Sequence, residues 1–158
     1  MLLGKKRKLG RVIDEIKVGE KLTLTEKIED KDLLLYLGLT NDANPLYIQH
    51  DYASQTKYQK PVVPSLMLTG IMTSAVSKYL PGPGSYILKQ ELNFRKPVYH
   101  YGTVKFLLEV ADIDYANKVV TISVQGENED NETVIDGHFA VCPPAFIDGT
   151  DGNALDNF

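Results

Sequence analysis

A chain of 158 residues, 43% hydrophobic and 24% charged, has the size and composition of one soluble domain, long enough to bury about two thirds of the surface its unfolded form exposes. Its net charge of −4 argues against a general nucleic-acid binder, and its one cysteine, Cys142, excludes an intramolecular disulfide and suits a reducing, cytoplasmic compartment. No apolar run approaches the roughly 18 residues of a membrane span, and the basic start Lys5-Lys6-Arg7-Lys8 is not that of a secretory leader, so neither membrane association nor export is expected.

A basic segment over residues 1–15 and an acidic one over 146–158 read as solvated tails flanking a folded domain at 16–145. Leu22-Thr23-Leu24-Thr25 with Ile28 alternates and predicts a strand. Asp30 is expected to cap a helix over 31–39, whose Leu33, Leu34, Leu35 and Leu37 are too apolar to face water all round; that helix is expected to be largely buried. A second short helix is predicted over 51–57. The longest helical pattern covers 65–79, where Leu66, Met67, Ile71, Ala75, Val76 and Tyr79 recur every three to five residues, with Pro64 beside its first turn and Pro81-Gly82-Pro83-Gly84 ending it.

Beyond that punctuation the period changes from about 3.6 to 2. Tyr86-Leu88-Gln90-Leu92-Phe94, Val104-Phe106-Leu108-Val110, Val120-Ile122-Val124 and Ile135-Gly137-Phe139-Val141 each mark one face of a strand, separated by turns rich in Asn, Asp and Gly. Four consecutive antiparallel strands after one long apolar helix predict an α+β architecture in which the sheet wraps that helix and buries Leu66, Ile71 and Val76. Cys142, at the end of the last apolar run, reads as a buried structural thiol. His100 reads as a turn residue and His138 as a strand residue, and three histidines with one cysteine make no metal constellation. Neither a metal nor a cofactor is expected.

The stretch Thr40-Asn41-Asp42-Ala43-Asn44-Pro45 breaks the pattern between two helices. Asn and Asp fold back on their own backbone and Pro45 fixes its φ, so Asp42 is presented on a pinned turn; the alternative is a plain helix stop followed by an Asx turn. The pattern resembles the hydratase motif of the MaoC-like dehydratases and (R)-specific enoyl-CoA hydratases, Ser/Thr-x-Asp-x-Asn-Pro-x-His, then Tyr-Ala, then Val-x-His-Gly-Met/Leu. Thr40, Asp42, Asn44 and Pro45 occupy the matching positions, Tyr52-Ala53 follow, and Pro61-Val62-Val63-Pro64-Ser65-Leu66-Met67 lies where the His-Gly segment belongs. Leu92-Asn93-Phe94-Arg95-Lys96-Pro97-Val98 is similar to the family's Phe-Arg-x-Pro-Val strand end, and the likeness covers roughly residues 16–143. Three positions depart: Tyr47 stands in place of the family's catalytic histidine, and Pro64-Ser65 in place of His-Gly.

The resemblance implies a hotdog fold, an antiparallel sheet wrapped around a long central helix, paired into a homodimer or higher homo-oligomer with a ligand tunnel at the interface. It further implies hydration of an enoyl thioester, or the reverse dehydration, on coenzyme A or an acyl-carrier protein. That reaction needs a base for water, a proton for the α-carbon and donors for the thioester oxygen. Asp42 is the candidate base, with Asn44 to orient it or the water; Tyr47 is a poor base but a fair donor. The backbone N–H of Ser65, at a helix N-terminus, is the candidate oxyanion donor, since Pro64 has none. His50, three residues beyond Tyr47, is an alternative imidazole. Lys57, Lys60, Arg95 and Lys96 are candidates for phosphate contacts, and Pro45, Pro64 and Leu66 for the substrate wall. Two other readings stand beside this one: a non-catalytic acyl-thioester-binding or regulatory hotdog protein, and a thioesterase. The last is disfavoured because residues 65–77 hold no Asp or Glu for the central helix.

Overall fold

The computed structural model describes residues 10–146. The basic run at 5–8 and all but the first residue of the acidic segment at 146–158 lie outside them. After a 3-10 turn at Ile13–Glu15, the chain forms β1 (Lys21–Lys27), α1 (Asp30–Thr40), α2 (Pro45–Ile48), α3 (His50–Ser54), α4 (Ser65–Lys78), β2 (Tyr86–Phe94), β3 (Thr103–Asp114), β4 (Val119–Glu127) and β5 (Thr133–Cys142). The strands make one antiparallel five-stranded sheet in the order β1-β3-β4-β5-β2. Together with α4 this is an α+β hotdog architecture, as the period change along the sequence predicts. No helix among the described residues is long and apolar enough to cross a membrane.

Strands β3, β4 and β5 alternate as expected, with Phe106, Leu108, Ile122, Phe139 and Val141 fully buried on the face that meets α4. From α4 come Leu68, Met72, Ala75 and Val76, spaced by four, three and one, as one stripe of a 3.6-residue helix requires. Expected burial of Leu66 is corrected: it is 52% exposed, because it lies two residues, about 200° of rotation, before Leu68. Ile71 is only partly buried, packed against the edge of the core. Thr69 is buried in the helix and satisfies its hydroxyl on the Ser65 carbonyl at 3.1 Å.

Strand β2 corrects another expectation. Ile87 pairs with Val141 and Lys89 with Ala140, leaving Leu88 as an extra residue in a β-bulge. The bulge shifts the side-chain phase, so Ile87 and Leu92 pack on the core while Tyr86 and Leu88 are exposed. Close approach of β5 to β2 requires Gly137: a Cβ there would lie 1.9 Å from the Glu91 carbonyl oxygen, and its φ is +152°.

Helix α1 begins one residue earlier in its capping than predicted. Glu29 is the N-cap, its N–H donating to the Asp32 carboxylate at 2.9 Å, while Asp30 accepts the Tyr101 hydroxyl. The helix is not buried: Leu34, Leu35 and Leu39 are 68%, 73% and 83% exposed. Apolar residues all round a helix need neighbours all round it, and the interior of the sheet is already filled by α4, so only Leu33, Tyr36 and Leu37 of this row are half-covered. The short helix predicted at 51–57 is α3, which starts at His50 and stops at Ser54.

Candidate functional site

The carboxylate of Asp42 is mounted on the end of α1. Asn41 closes the helix in the left-handed region at φ 55°, and its N–H bonds the Leu37 carbonyl at 2.8 Å. The Thr40 hydroxyl donates to the Tyr36 carbonyl at 2.8 Å and accepts the Asp42 N–H at 3.2 Å. Asp42 Oδ1 accepts the Asn44 N–H at 3.2 Å, and Oδ2 accepts the Tyr36 hydroxyl at 2.6 Å. Asn44 therefore reaches Asp42 through its backbone, because its side-chain oxygen caps α2 by accepting the Leu46 N–H at 3.0 Å. Pro45 fills the first position of α2, where no N–H is needed.

Tyr47, half-buried on α2, meets Tyr36 edge-on, with ring centroids 6.3 Å apart and planes at 80°. It lines a cavity of about 600 Å³ together with Ser65, Lys57, Arg95 and Lys96 and the apolar Val62, Val63, Leu68 and Phe94. Two backbone bonds bring these walls together: Val62 N–H to the Leu46 carbonyl at 3.1 Å, and Val63 N–H to the Val98 carbonyl at 2.7 Å. They tie the loop ahead of α4 to α2 on one side and to the β2–β3 connection on the other. Ser65 is the first residue of α4, preceded by Pro64 as N-cap, so the unpaired first-turn N–H groups open beside this cavity.

Asp42, Asn44, Pro45, Pro64 and Leu66 do not line that cavity; Asp42 is linked to it through Tyr36 and Tyr47. Lys60 lines a neighbouring cavity of about 500 Å³ that shares Lys96, Pro97, Val98 and Tyr99 with the first. His50 is exposed at the start of α3 and borders neither cavity. His100 sits in the β2–β3 turn with a buried Nε2 that has no hydrogen-bond partner, and His138 pairs with Glu91 across β5 and β2 at 2.8 Å. Cys142 is half-buried rather than buried, since it ends β5 with its side chain near the Pro143 carbonyl. Among the described residues no three His, Cys, Asp or Glu side chains cluster to hold a metal.

The four basic candidates divide in two. Arg95 is held in a fork by Asp136, Nε at 2.8 Å and Nη2 at 3.1 Å, and Lys96 is paired with Glu132. The Arg95 contact, helped by Asn93, keeps the Asp136 carboxyl below the usual aspartate range, and Lys96 with Asn128 does the same for Glu132. Lys57 and Lys60 have no ion-pair partner among the described residues and lie over tyrosine rings, Lys57 5.2 Å from Tyr58 and Lys60 4.4 Å from Tyr99.

Tyr36 is the member of this constellation that sequence reasoning missed. No local signal marks it: the Thr40 hydroxyl bonds back to the Tyr36 carbonyl, which any residue there supplies, and the phenol reaches Asp42 across six residues. The phenol itself is held above its usual pKa, chiefly by the bond to Asp42 and then by burial.

Comparison with known proteins gives a consistent picture. The model of the MaoC like domain family matches residues 13–132. An (R)-specific enoyl-CoA hydratase of Rhodospirillum rubrum is 30% identical over 136 residues, covering 84% of this chain and 91% of that protein. Among solved structures, the unliganded R-hydratase PhaJ1 of Pseudomonas aeruginosa superposes with a TM-score of 0.80 at 27% identity, covering 87% of this chain and 88% of that one. The (R)-hydratase of Aeromonas caviae involved in PHA biosynthesis gives a TM-score of 0.79 at 25% identity, over 82% and 98% of the two chains.

Proposed function

The chain belongs to the MaoC like domain family, and from that premise we propose that it is a hydro-lyase that adds water to an enoyl thioester, or removes it from a 3-hydroxyacyl thioester, on coenzyme A or an acyl-carrier protein. One observation carries the reading: a carboxylate held by the Tyr36 hydroxyl and the Asn44 N–H is linked, through Tyr36 and its edge-on partner Tyr47, to a cavity that the N-terminus of α4 opens onto. In the hydration direction Asp42 takes a proton from water as the water oxygen bonds to the β-carbon, and the π electrons move toward the thioester oxygen. The Ser65 N–H and the dipole of α4 stabilise that developing charge. Tyr47 donates its phenolic proton to the α-carbon rather than acting as a second base. The cavity walls Val62, Val63 and Leu68 receive the acyl chain, and Lys57 and Lys60 carry the contacts to its phosphate-bearing handle more readily than Arg95 and Lys96, whose charges are already met.

We take the domain to run over residues 16–145, between the basic and acidic segments of the sequence. It works as a homodimer: β1 and β2 are both edges of the described sheet, and β2 leaves Tyr86 and Leu88 exposed, an arrangement that a second copy covers. The test is crotonyl-CoA hydration by the purified protein, followed as loss of enoyl absorbance, with Asp42→Asn as the control. Asp42→Asn is expected to abolish turnover while leaving thioester binding nearly intact, since it keeps the shape and removes the base.

A second reading is favoured by Tyr47, which puts a phenol in the place where the family motif has an imidazole. Under it the protein binds an acyl thioester without converting it. Tight crotonyl-CoA binding with no turnover selects this reading over the first.

A further inference from the structure

We propose that Tyr36 is a positioning residue that sets the orientation of the Asp42 carboxylate; the inference rests on Asp42 acting as the base. The Tyr36 hydroxyl lies 2.6 Å from Asp42 Oδ2, the separation of a charge-assisted O–H···O bond. Asp42 in turn holds the phenol above its usual pKa, so Tyr36 remains a protonated donor throughout the neutral range. Asp42 Oδ1 has only the longer 3.2 Å contact from the Asn44 N–H. Each carboxylate oxygen has room for about two donors. The phenol therefore anchors Oδ2 and with it the carboxylate plane, while Oδ1, held only by the longer contact, keeps an acceptor site for water.

Donor and acceptor share one scaffold. Thr40 ties the Tyr36 carbonyl to the Asp42 N–H through a single hydroxyl, so the backbone positions that carry the ring and the carboxylate are held together. The same ring packs edge-on against Tyr47, which faces the cavity that Asp42 itself does not line. Tyr36 thus fixes the base relative to the cavity, and a carboxylate free to rotate loses the aligned geometry on which rate depends steeply.

Tyr36→Phe keeps the ring and its contact with Tyr47 and deletes the hydroxyl alone. With crotonyl-CoA, kcat is expected to fall about tenfold or more while KM stays within about twofold. A stability cycle with Asp42→Asn is expected to be non-additive, the hydroxyl contributing more when its acceptor is a carboxylate than when it is a neutral amide. An independent reading leaves Tyr36 in place: in Asp42→Asn the tyrosinate absorbance of one phenol is expected to develop at lower pH than in the parent. An active parent whose Tyr36→Phe variant keeps its kcat overturns the positioning role and leaves the proposed function standing. Additive stabilities with an unmoved tyrosinate titration also overturn it, assigning Tyr36 to packing. An inert parent overturns the assignment of Asp42 as base, and this inference with it.

Discussion

Replacing Ser65 by proline isolates a single backbone donor. Pro64, the N-cap of α4, has φ −56° and ψ 135°, an extended geometry that a following proline accepts, and the first helical position is where proline is best tolerated. The Ser65 carbonyl, which accepts from Thr69 at 3.1 Å, survives the change, and the side chain lost is exposed. Proline at a compatible site shifts stability by only about 0.4–1 kcal/mol, whereas loss of one preorganised oxyanion donor raises the barrier by about 2.7–4 kcal/mol, or 10² to 10³ in kcat. Ser65→Ala keeps the N–H and should turn over much as the parent does. Initial rates of crotonyl-CoA hydration for the three proteins, with urea unfolding of each, separate the catalytic from the structural effect. If Ser65→Pro unfolds at the parent's denaturant concentration and still turns over as fast as Ser65→Ala, the N-terminus of α4 is not the oxyanion donor.

Tyr47→His puts an imidazole with pKa near 6.5 in place of the phenol and is expected to raise hydration by about tenfold or more; a slower variant of a fast parent would instead make the phenol an evolved participant. Met72→Ala, in the centre of the core, should cost about 2–5 kcal/mol in urea unfolding, and Leu66→Ala, on the exposed side of the same helix, should cost far less; equal costs would contradict the assigned helix face. Because Arg95 depresses the Asp136 carboxyl in the folded state, its contribution to stability is present above the unfolded value of about 3.9 and is lost as pH falls through the lower, folded one. Unfolding midpoints from about pH 6 to pH 3 should therefore drop more steeply for the parent than for Asp136→Asn, and parallel curves would count against that pair.

Period-based features were the readable ones. Val104-Phe106-Leu108-Val110 and Val120-Ile122-Val124 declare a buried strand face without help, and proline and glycine at 81–84 stop the long helix. Alternation could not reveal the Leu88 bulge, because an inserted residue changes phase only once the register with β5 is known. Composition misjudged α1 for a related reason: it counts leucines but not the neighbours available to cover them, and α4 had already taken the interior. At the site, the Thr40-Asp42-Asn44-Pro45 turn was legible because its bonds are local, spanning two to four residues. The Arg95–Asp136 fork spans 41 residues and leaves no trace in local pattern, so the sequence offers Arg95 as a candidate phosphate contact with no sign of its acidic partner.

That fork, with the Lys96–Glu132 pair, bears on how a charged ligand arrives. Two of the four cations lining the cavities carry their own counter-charge, so among the residues that line them an incoming polyanion meets only Lys57 and Lys60 without an ion-pair partner. The field of these two lysines is attenuated over a Debye length of about 10 Å at 0.1 M salt, too small a reach to accelerate encounter strongly. Association should thus vary shallowly with ionic strength, in contrast to a site that collects anions by long-range steering. Discrimination among ligands then falls to Val62, Val63, Leu68 and Phe94, whose contacts no salt screens, and it is expressed in how slowly a fitted acyl chain leaves rather than in how fast any anion comes.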